Sequence, residues 1–534
     1  MSTPASTNTN DESDAITAEG LLRRRAAQDP DAIALIDPPN RQMVALTRPR
    51  TFTYGEADEA VDALAAFFVE LGLKPGDRIV LQLPNFIEAP LTLLGAWRAG
   101  LTVAAVPMLW RAMEIAKVCD LLEPKALVGA SHFADGRPVE VLRDVAATRR
   151  SVNVVVGYGL SLPDGVLSLD DVISTGHPAG EQFAARSQPG PSLITFTARA
   201  DAPLVPLLRH EEEILAQGAM AVLALSLVRS DTILNAYPLT GPIGLALGFA
   251  PWLIGGGTLV QHDPFDTGTF VEQLYDSGAT VTALPGAFLD QLTEDGVLDD
   301  PQCMLRRVGR IWSPAALADR AVSPEDIETG GLRPSTFDVY PLGDLACLIV
   351  RPEQAEPRPL LPLGTVHLGE DGGGAVFAET SLAENAMGEV LLRGPVVPQG
   401  RTGGPARRDE DGFVATGLIG QANGHGGMKL SRNPELIHHG GFTVAAAELD
   451  GLYQAFPGFL DAACFVLPDP IIGERIFAAV APSPNTPASL EVLHSFLMER
   501  GVAPYKFPDR LLVVRDIPRN RAGRIERAAI LAQV

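Results

Sequence analysis

Basic residues are scarce in this chain. Forty-two lysines and arginines stand against 65 aspartates and glutamates, a formal net charge of −23 over 534 residues. A surface this acidic repels phosphate backbones, so nucleic-acid binding is excluded as a main role. Cysteine is scarcer still. The four residues Cys119, Cys303, Cys347 and Cys464 show no CxxC or similar spacing. That excludes a disulfide framework or a cysteine zinc site and leaves small buried hydrophobes in a reducing compartment. No uninterrupted apolar run reaches the roughly 20 residues that a membrane-spanning helix needs. The most apolar window, 243–260, is broken by Pro251 and Gly255-Gly256-Gly257 and predicts a buried helix, a turn and a buried strand. Residues 1–16 lack a basic start and an apolar core, so they read as a disordered tail, not a secretory signal. The expected location is cytoplasmic. GxGxxG, GxxxxGK[ST], HExxH and GxSxG are all missing. The nine histidines are dispersed, which suits structural or surface roles.

What remains is a normal globular composition, 46% hydrophobic and 20% charged, able to bury a large core. Residues 51–54 predict a strand. Residues 56–71 place Ala57, Val61, Leu64, Phe68 and Leu71 at helical spacing, and Gly72 ends that helix. A strand over 79–83, a helix over 86–98 and a buried strand over 102–106 follow, the pattern of a parallel sheet covered by helices. The same alternation recurs to about 345, with strands at 126–128, 152–156, 258–260 and 280–284 and helices at 211–227 and 269–276. Residues 364–392 change to short strands separated by Gly and Glu. After 431 a smaller unit is predicted, with strands at 463–466, 477–480 and 511–514 and a helix at 490–500. The expected fold class is α/β: a large N-terminal domain (17–430) of parallel and mixed sheets covered by helices, with a β-rich portion, and a small mobile α+β C-terminal domain (431–534).

Several fragments occur in a telling order. Thr53-Tyr54, Lys74-Pro75-Gly76-Asp77, Leu83-Pro84-Asn85 and Trp97-Arg98-Ala99-Gly100 open the chain. Later come Ala415-Thr416-Gly417, Ser431-Arg432, His439-Gly440-Gly441-Phe442 with Glu448-Leu449-Asp450, Pro468-Asp469 with Gly473-Glu474, and Tyr505-Lys506-Phe507-Pro508. Together they resemble the adenylate-forming superfamily, which includes acyl-CoA synthetases, luciferases and peptide-synthetase adenylation domains. The resemblance runs from about residue 18 to the end. It implies activation of a carboxylic acid with ATP and Mg²⁺ and transfer to the thiol of coenzyme A.

The resemblance also shows where this chain departs from the pattern. The phosphate-cradling loop corresponds to 197–206, with Thr197 retained, Arg199 in place of a glycine, an added acid at Asp201, and Val205 where a lysine is expected. Tyr340 retains a ring for adenine, Gly343 loses a hydroxyl, and Asp344 supplies the carboxylate for a metal. The adenine-contacting stretch corresponds to 313–316. Thr416 persists, but the ribose-binding acid is Leu418. Arg432 and Arg524 fall at the catalytic hinge and lysine positions, and Pro434 stiffens the hinge. Gly440, Gly441, Tyr505 and Lys506 correspond to segments lining the passage for coenzyme A; the glycines equally suit turns kept for folding. Pro238, Thr240 and Gly241 mark a small apolar acyl pocket. Three functions are therefore open. The first is an acyl-CoA synthetase-like ligase using coenzyme A, with ATP and Mg²⁺ only if adenylation is retained. The second is an enzyme acting on a preformed acyl thioester by transfer or condensation. The third is a non-catalytic relative that binds a carrier or partner protein. The expected small-molecule partner is a hydrophobic carboxylic acid or its CoA thioester.

Overall fold

The computed structural model describes residues 16–175, 190–312, 334–350, 361–362, 364–367, 376–383, 388–398, 409–422, 427–431, 433–469, 472–484 and 488–532. Among them are four sheets. The first has seven strands, ordered Val166–Ser168, Val154–Tyr158, Ala126–Ala130, Arg78–Gln82, Thr102–Ala105, Leu193–Arg199 and Ala202–Arg209. Its strands are parallel except for the last pair, an antiparallel hairpin. The second has eight strands, with Ile33–Ile36, Thr258–Gln261, Thr232–Asn235, Val281–Pro285, Arg307–Ile311 and Ser335–Leu342 in parallel. Thr51–Thr53 and Ala346–Val350 close its edges antiparallel. Both large sheets have the α/β character expected from alternating strands and helices.

Local chemistry explains where the elements begin. Thr53 was expected to end a strand at 54, but its hydroxyl accepts the Glu56 N–H while Glu56 takes the Thr53 N–H at 2.8 Å. This capping box starts the helix Tyr54–Glu70 one residue beyond Thr53 and shortens the strand to Thr51–Thr53. The helix packs against Glu88–Arg98. Ala57, Val61, Leu64 and Phe68 from the first helix join Leu91, Leu94 and Trp97 from the second in the largest apolar cluster. The apolar window forms a π-helical turn Gly244–Phe249, a short helix Ala250–Gly255 and the strand Thr258–Gln261. Helix, turn and strand are as expected; the π-turn was not.

The third sheet is antiparallel and holds six strands, in the order Leu361–Pro362, Gly427–Ser431, Val414–Ala422, Glu389–Arg393, Val376–Leu382 and Gly364–His367. The fourth has five strands. Phe442–Ala445, Leu436–His439, Gly473–Pro482 and Phe459–Asp469 run antiparallel, and Arg510–Val513 pairs parallel with Gly473–Pro482. Its central strands are longer than the sequence suggested because pairing continues through the polar ends at Asp469 and Gly473. No helix among the described residues is long and apolar enough to cross a membrane.

Candidate functional site

The stretch expected to cradle phosphates is a tight hairpin, not an open loop. Leu193–Arg199 pairs with Ala202–Arg209 through Thr197 opposite Val205 and Arg199 opposite Ala202. The second strand lies at the sheet edge, where Pro203 and Pro206 cost no ladder bond to a further strand. Val205 is buried. Arg199 is turned to Asp201, with Nε 3.0 Å from Oδ1, so the residue added to the loop and the acid beside it satisfy each other at the exposed tip.

Asp344 follows Gly343 in the turn between Ser335–Leu342 and Ala346–Val350. Gly343 has φ +57°, and a Cβ there would stand 2.5 Å from the Thr416 carbonyl oxygen, so only glycine fits this close approach. The fully buried Arg209 guanidinium pins the turn. It donates to the Leu345 carbonyl at 2.8 Å, to the Asp344 carbonyl, and to Thr195 Oγ1 at 2.9 Å. Burial raises the Asp344 carboxyl above its ordinary range, while the hydroxyls of Thr197 and Thr443 and the Arg209 charge pull it back. Its Oδ2 is buried without a hydrogen-bond partner. No group of three or more His, Cys, Asp or Glu side chains suited to a metal ion occurs among the described residues.

Thr443 arrives from the fourth sheet, whose strand Phe442–Ala445 packs against Leu193–Arg199. In the hairpin 436–445, His438 is opposite Thr443 and His439 opposite Phe442, joined by Gly440 and Gly441 at φ +57° and +85°. Both glycines are exposed, with open space where a Cβ would stand. The Thr443 hydroxyl is 3.5 Å from His438 Nδ1. Desolvation lowers the His438 pKa to about 4, so the ring is neutral near pH 7.

The neighbouring positions have a different character. Tyr340 is 3% exposed and Leu418 is 2% exposed; both lie in one apolar cluster with Leu207, Trp312, Leu342 and Val414. Thr416 Oγ1 donates to the Val390 carbonyl at 2.8 Å and accepts the Leu418 N–H at 3.2 Å, so its hydroxyl is spent on the backbone. Pro238 is exposed, Thr240 and Gly241 are half-buried, and a Cβ on Gly241 would meet nothing within 4 Å.

The predicted residues therefore divide. Thr197, Asp344, Tyr340 and Thr416 converge on the facing strands, and the Gly440-Gly441 hairpin meets them. Tyr505 and Lys506 support that hairpin from behind: Tyr505 stacks on Phe442 with ring centroids 4.2 Å apart, and Lys506 is buried between Glu114 and Glu448, 3.0 Å from each. Arg524 does not join them. It lies on an exposed turn, where its N–H is held by Asn520 Oδ1 at 3.0 Å. Arg432 and the stretch 313–316 fall outside the described residues. Sequence reasoning missed Thr443 and Arg209 as site residues. Thr443 follows the glycine turn closely, and Arg209 ends an otherwise apolar strand; both signals were visible.

A family model described as "AMP-binding enzyme" matches residues 22–197. Salicylyl-CoA synthase / salicylate adenylyltransferase from Streptomyces sp is 26% identical over 93% of this chain and 90% of its own length. The 2,3-dihydroxybenzoate-AMP ligase of Bacillus subtilis is 27% identical, over 96% of this chain and 92% of that one. Among solved structures, the amide bond synthetase McbA of Marinactinospora thermotolerans shares the fold with a TM-score of 0.74. Its identity is 21%, and the match covers 97% of this chain and 99% of that one. With the family match over residues 22–197, relatives that align over most of the chain at 26–27% identity, and this shared fold, the chain is similar to the acyl- and aryl-acid ligases of the adenylate-forming superfamily.

Proposed function

We propose that this protein handles an acyl or aryl group as a thioester, with coenzyme A or a carrier-bound thiol as partner, and does not form an acyl-adenylate. The observation that carries this reading is the burial of Leu418 and Tyr340 in one apolar cluster. A ribose needs a hydrogen-bond acceptor, and an adenine needs an open ring face; a leucine and a core-packed tyrosine supply neither. Val205, buried where a phosphate-binding lysine is expected, supports the same reading. So does the internal pairing of Arg199 with Asp201. These residues do not fit a nucleotide.

On the thiol side, the open Gly440-Gly441 turn leaves room for a slender arm to approach Thr443 and Asp344. The chemistry is acyl exchange. The acceptor sulfur forms a bond to the carbonyl carbon, the donor carbon–sulfur bond breaks, and the proton of the incoming thiol ends on the departing sulfur. The segment Pro238, Thr240 and Gly241, open at Gly241, is where a small hydrophobic acyl group would lie. In this reading residues 17–430 and 431–534 act as a large and a small unit that meet at the site.

Calorimetric titration of the full chain with MgATP, coenzyme A and benzoyl-CoA tests it. Thioester or coenzyme A binding without MgATP binding is the expected result. MgATP binding, or pyrophosphate release with any carboxylic acid, would sink it. That outcome would favour ordinary acid–thiol ligation, for which the unpaired Asp344 Oδ2 is the supporting observation, since a bound cation would complete its coordination.

A further inference from the structure

Two routes tie the 436–445 hairpin to the body of the protein, one ending on the strand that carries Thr443 and the other on the helix that follows it. The first is aromatic. Phe196, on the hairpin that also carries Thr197, has its ring 5.3 Å from Trp110. Trp110 Nε1 donates to the Tyr505 hydroxyl at 3.1 Å, and Tyr505 stacks on Phe442 with an interplanar angle of 13°. The second is ionic. Lys506 Nζ is 3.0 Å from Glu114 on the helix Ala112–Leu122 and 3.0 Å from Glu448 on the helix Ala446–Gln454, which continues directly from Phe442–Ala445. Lys117 Nζ joins Glu448 at 3.1 Å, so two cations meet two carboxylates. Glu114 also takes the Ala503 N–H at 3.2 Å, and the Met113 N–H is given to the Gly501 carbonyl at 3.0 Å.

We propose that Trp110, Tyr505 and Lys506 are positioning residues that set the approach of the 436–445 hairpin to the 193–209 hairpin, and so fix how the strand carrying Thr443 lies against Leu193–Arg199. Lys506 is 4% exposed, with its ammonium occupied by protein carboxylates. It therefore acts behind the site and not as a contact to coenzyme A. Burial alone would lower its pKa, but the Tyr505 hydroxyl, Glu114 and Glu448 together raise it, so the charge stays on Lys506 throughout the neutral range. Removing that charge leaves Glu114 buried without a cation and Glu448 with Lys117 alone, and pushes the Glu448 helix, with its preceding strand, away from Glu114. Trp110 and Tyr505 set the lateral offset, because a stacked ring pair and a directed N–H bond tolerate little sliding.

Hydrogen exchange read by mass spectrometry on the full chain tests the frame. In Lys506→Met, amides of Phe442–Ala445 are expected to exchange about tenfold faster, while the helix Leu490–Glu499 keeps its wild-type rate. Tyr505→Phe keeps the stacked ring and loses only the hydrogen bond, and Trp110→Phe loses that bond with part of the buried indole; each is expected to give about a threefold or greater acceleration at the same amides. These two carry the test if Lys506→Met does not fold. Unchanged exchange at 442–445, or equal acceleration across the whole fourth sheet, would overturn the proposal. The binding arm rests on the thioester reading: coenzyme A affinity is expected to fall about fivefold or more in the variants. Equal affinity in all of them would overturn the positioning role. If the wild-type chain binds no coenzyme A, the thioester reading fails, while the exchange data still decide the frame.

Discussion

The 193–209 hairpin faces two very different surroundings. On one side Leu207 sinks into the apolar cluster of Trp312, Tyr340, Leu342 and Leu418. On the other it meets the Thr443 strand, backed by Trp110, Tyr505 and a buried Lys506 between two glutamates. The first contact is non-directional: apolar side chains of suitable volume replace one another at modest cost, so polar groups can be lost there while the fold persists. The second is directional, because each buried charge needs its partner at a fixed place. The contrast teaches that the apolar side of the hairpin is the part able to change and the polar side is the part held in register.

The strongest way to break the comparison is at Lys506. Lys506→Met is expected to destabilise the chain by about 3 kcal/mol in denaturant titration, since Glu114 is left buried without a cation and Glu448 keeps only the part-exposed Lys117. A loss below about 1 kcal/mol, as for an exposed pair, would remove the distinction between the two sides.

Leu418→Asp probes the apolar side by putting back the acid expected of a ribose site. Placed in a cluster where Leu418 is 2% exposed, it is expected to cost on the order of 3 kcal/mol and to confer no MgATP binding. Calorimetry showing MgATP binding by this variant would mean that the apolar side had stayed a nucleotide site.

Glu211 sharpens the contrast through pH. Burial first, then Glu19 and Glu212, raises its carboxyl to about 7 from the usual 4.5, against the hydrogen bond from the Ala18 N–H at 2.8 Å. The folded state therefore holds a proton that the unfolded chain has lost, and stability falls as pH rises from about 4.5 to about 7, then levels. The total is up to about 3 kcal/mol. Glu211→Gln is expected to flatten that slope in unfolding curves taken at half-unit steps.

The smallest effect is expected at the hairpin tip. Arg199→Ala removes an exposed pair with Asp201 and should change stability by less than about 1 kcal/mol, with coenzyme A binding unaltered. A marked loss of affinity would show Arg199 turning from Asp201 to a ligand.

Sequence alone was enough for the architecture. Helical spacing at Ala57, Val61, Leu64 and Phe68, and apolar strands such as 102–106, reflect local periodicities of 3.6 and 2, so alternating strands and helices could be read without a structure. The ordered fragments around Gly76, Gly417 and Gly440 were legible for the same reason: a turn needs its residues close together in the chain. The site was legible only in part. Thr197, Asp344 and Gly441 could be named, but the meeting of the Thr443 strand with the Thr197 strand, or of Lys506 with Glu114, joins segments far apart in the chain, and no local pattern encodes which carboxylate a buried lysine will find. Nor could the residue types tell that Tyr340 packs as core, or that Arg199 is satisfied by Asp201. Those outcomes depend on how sheets stack and which polar groups they desolvate together, and only the tertiary structure decided them.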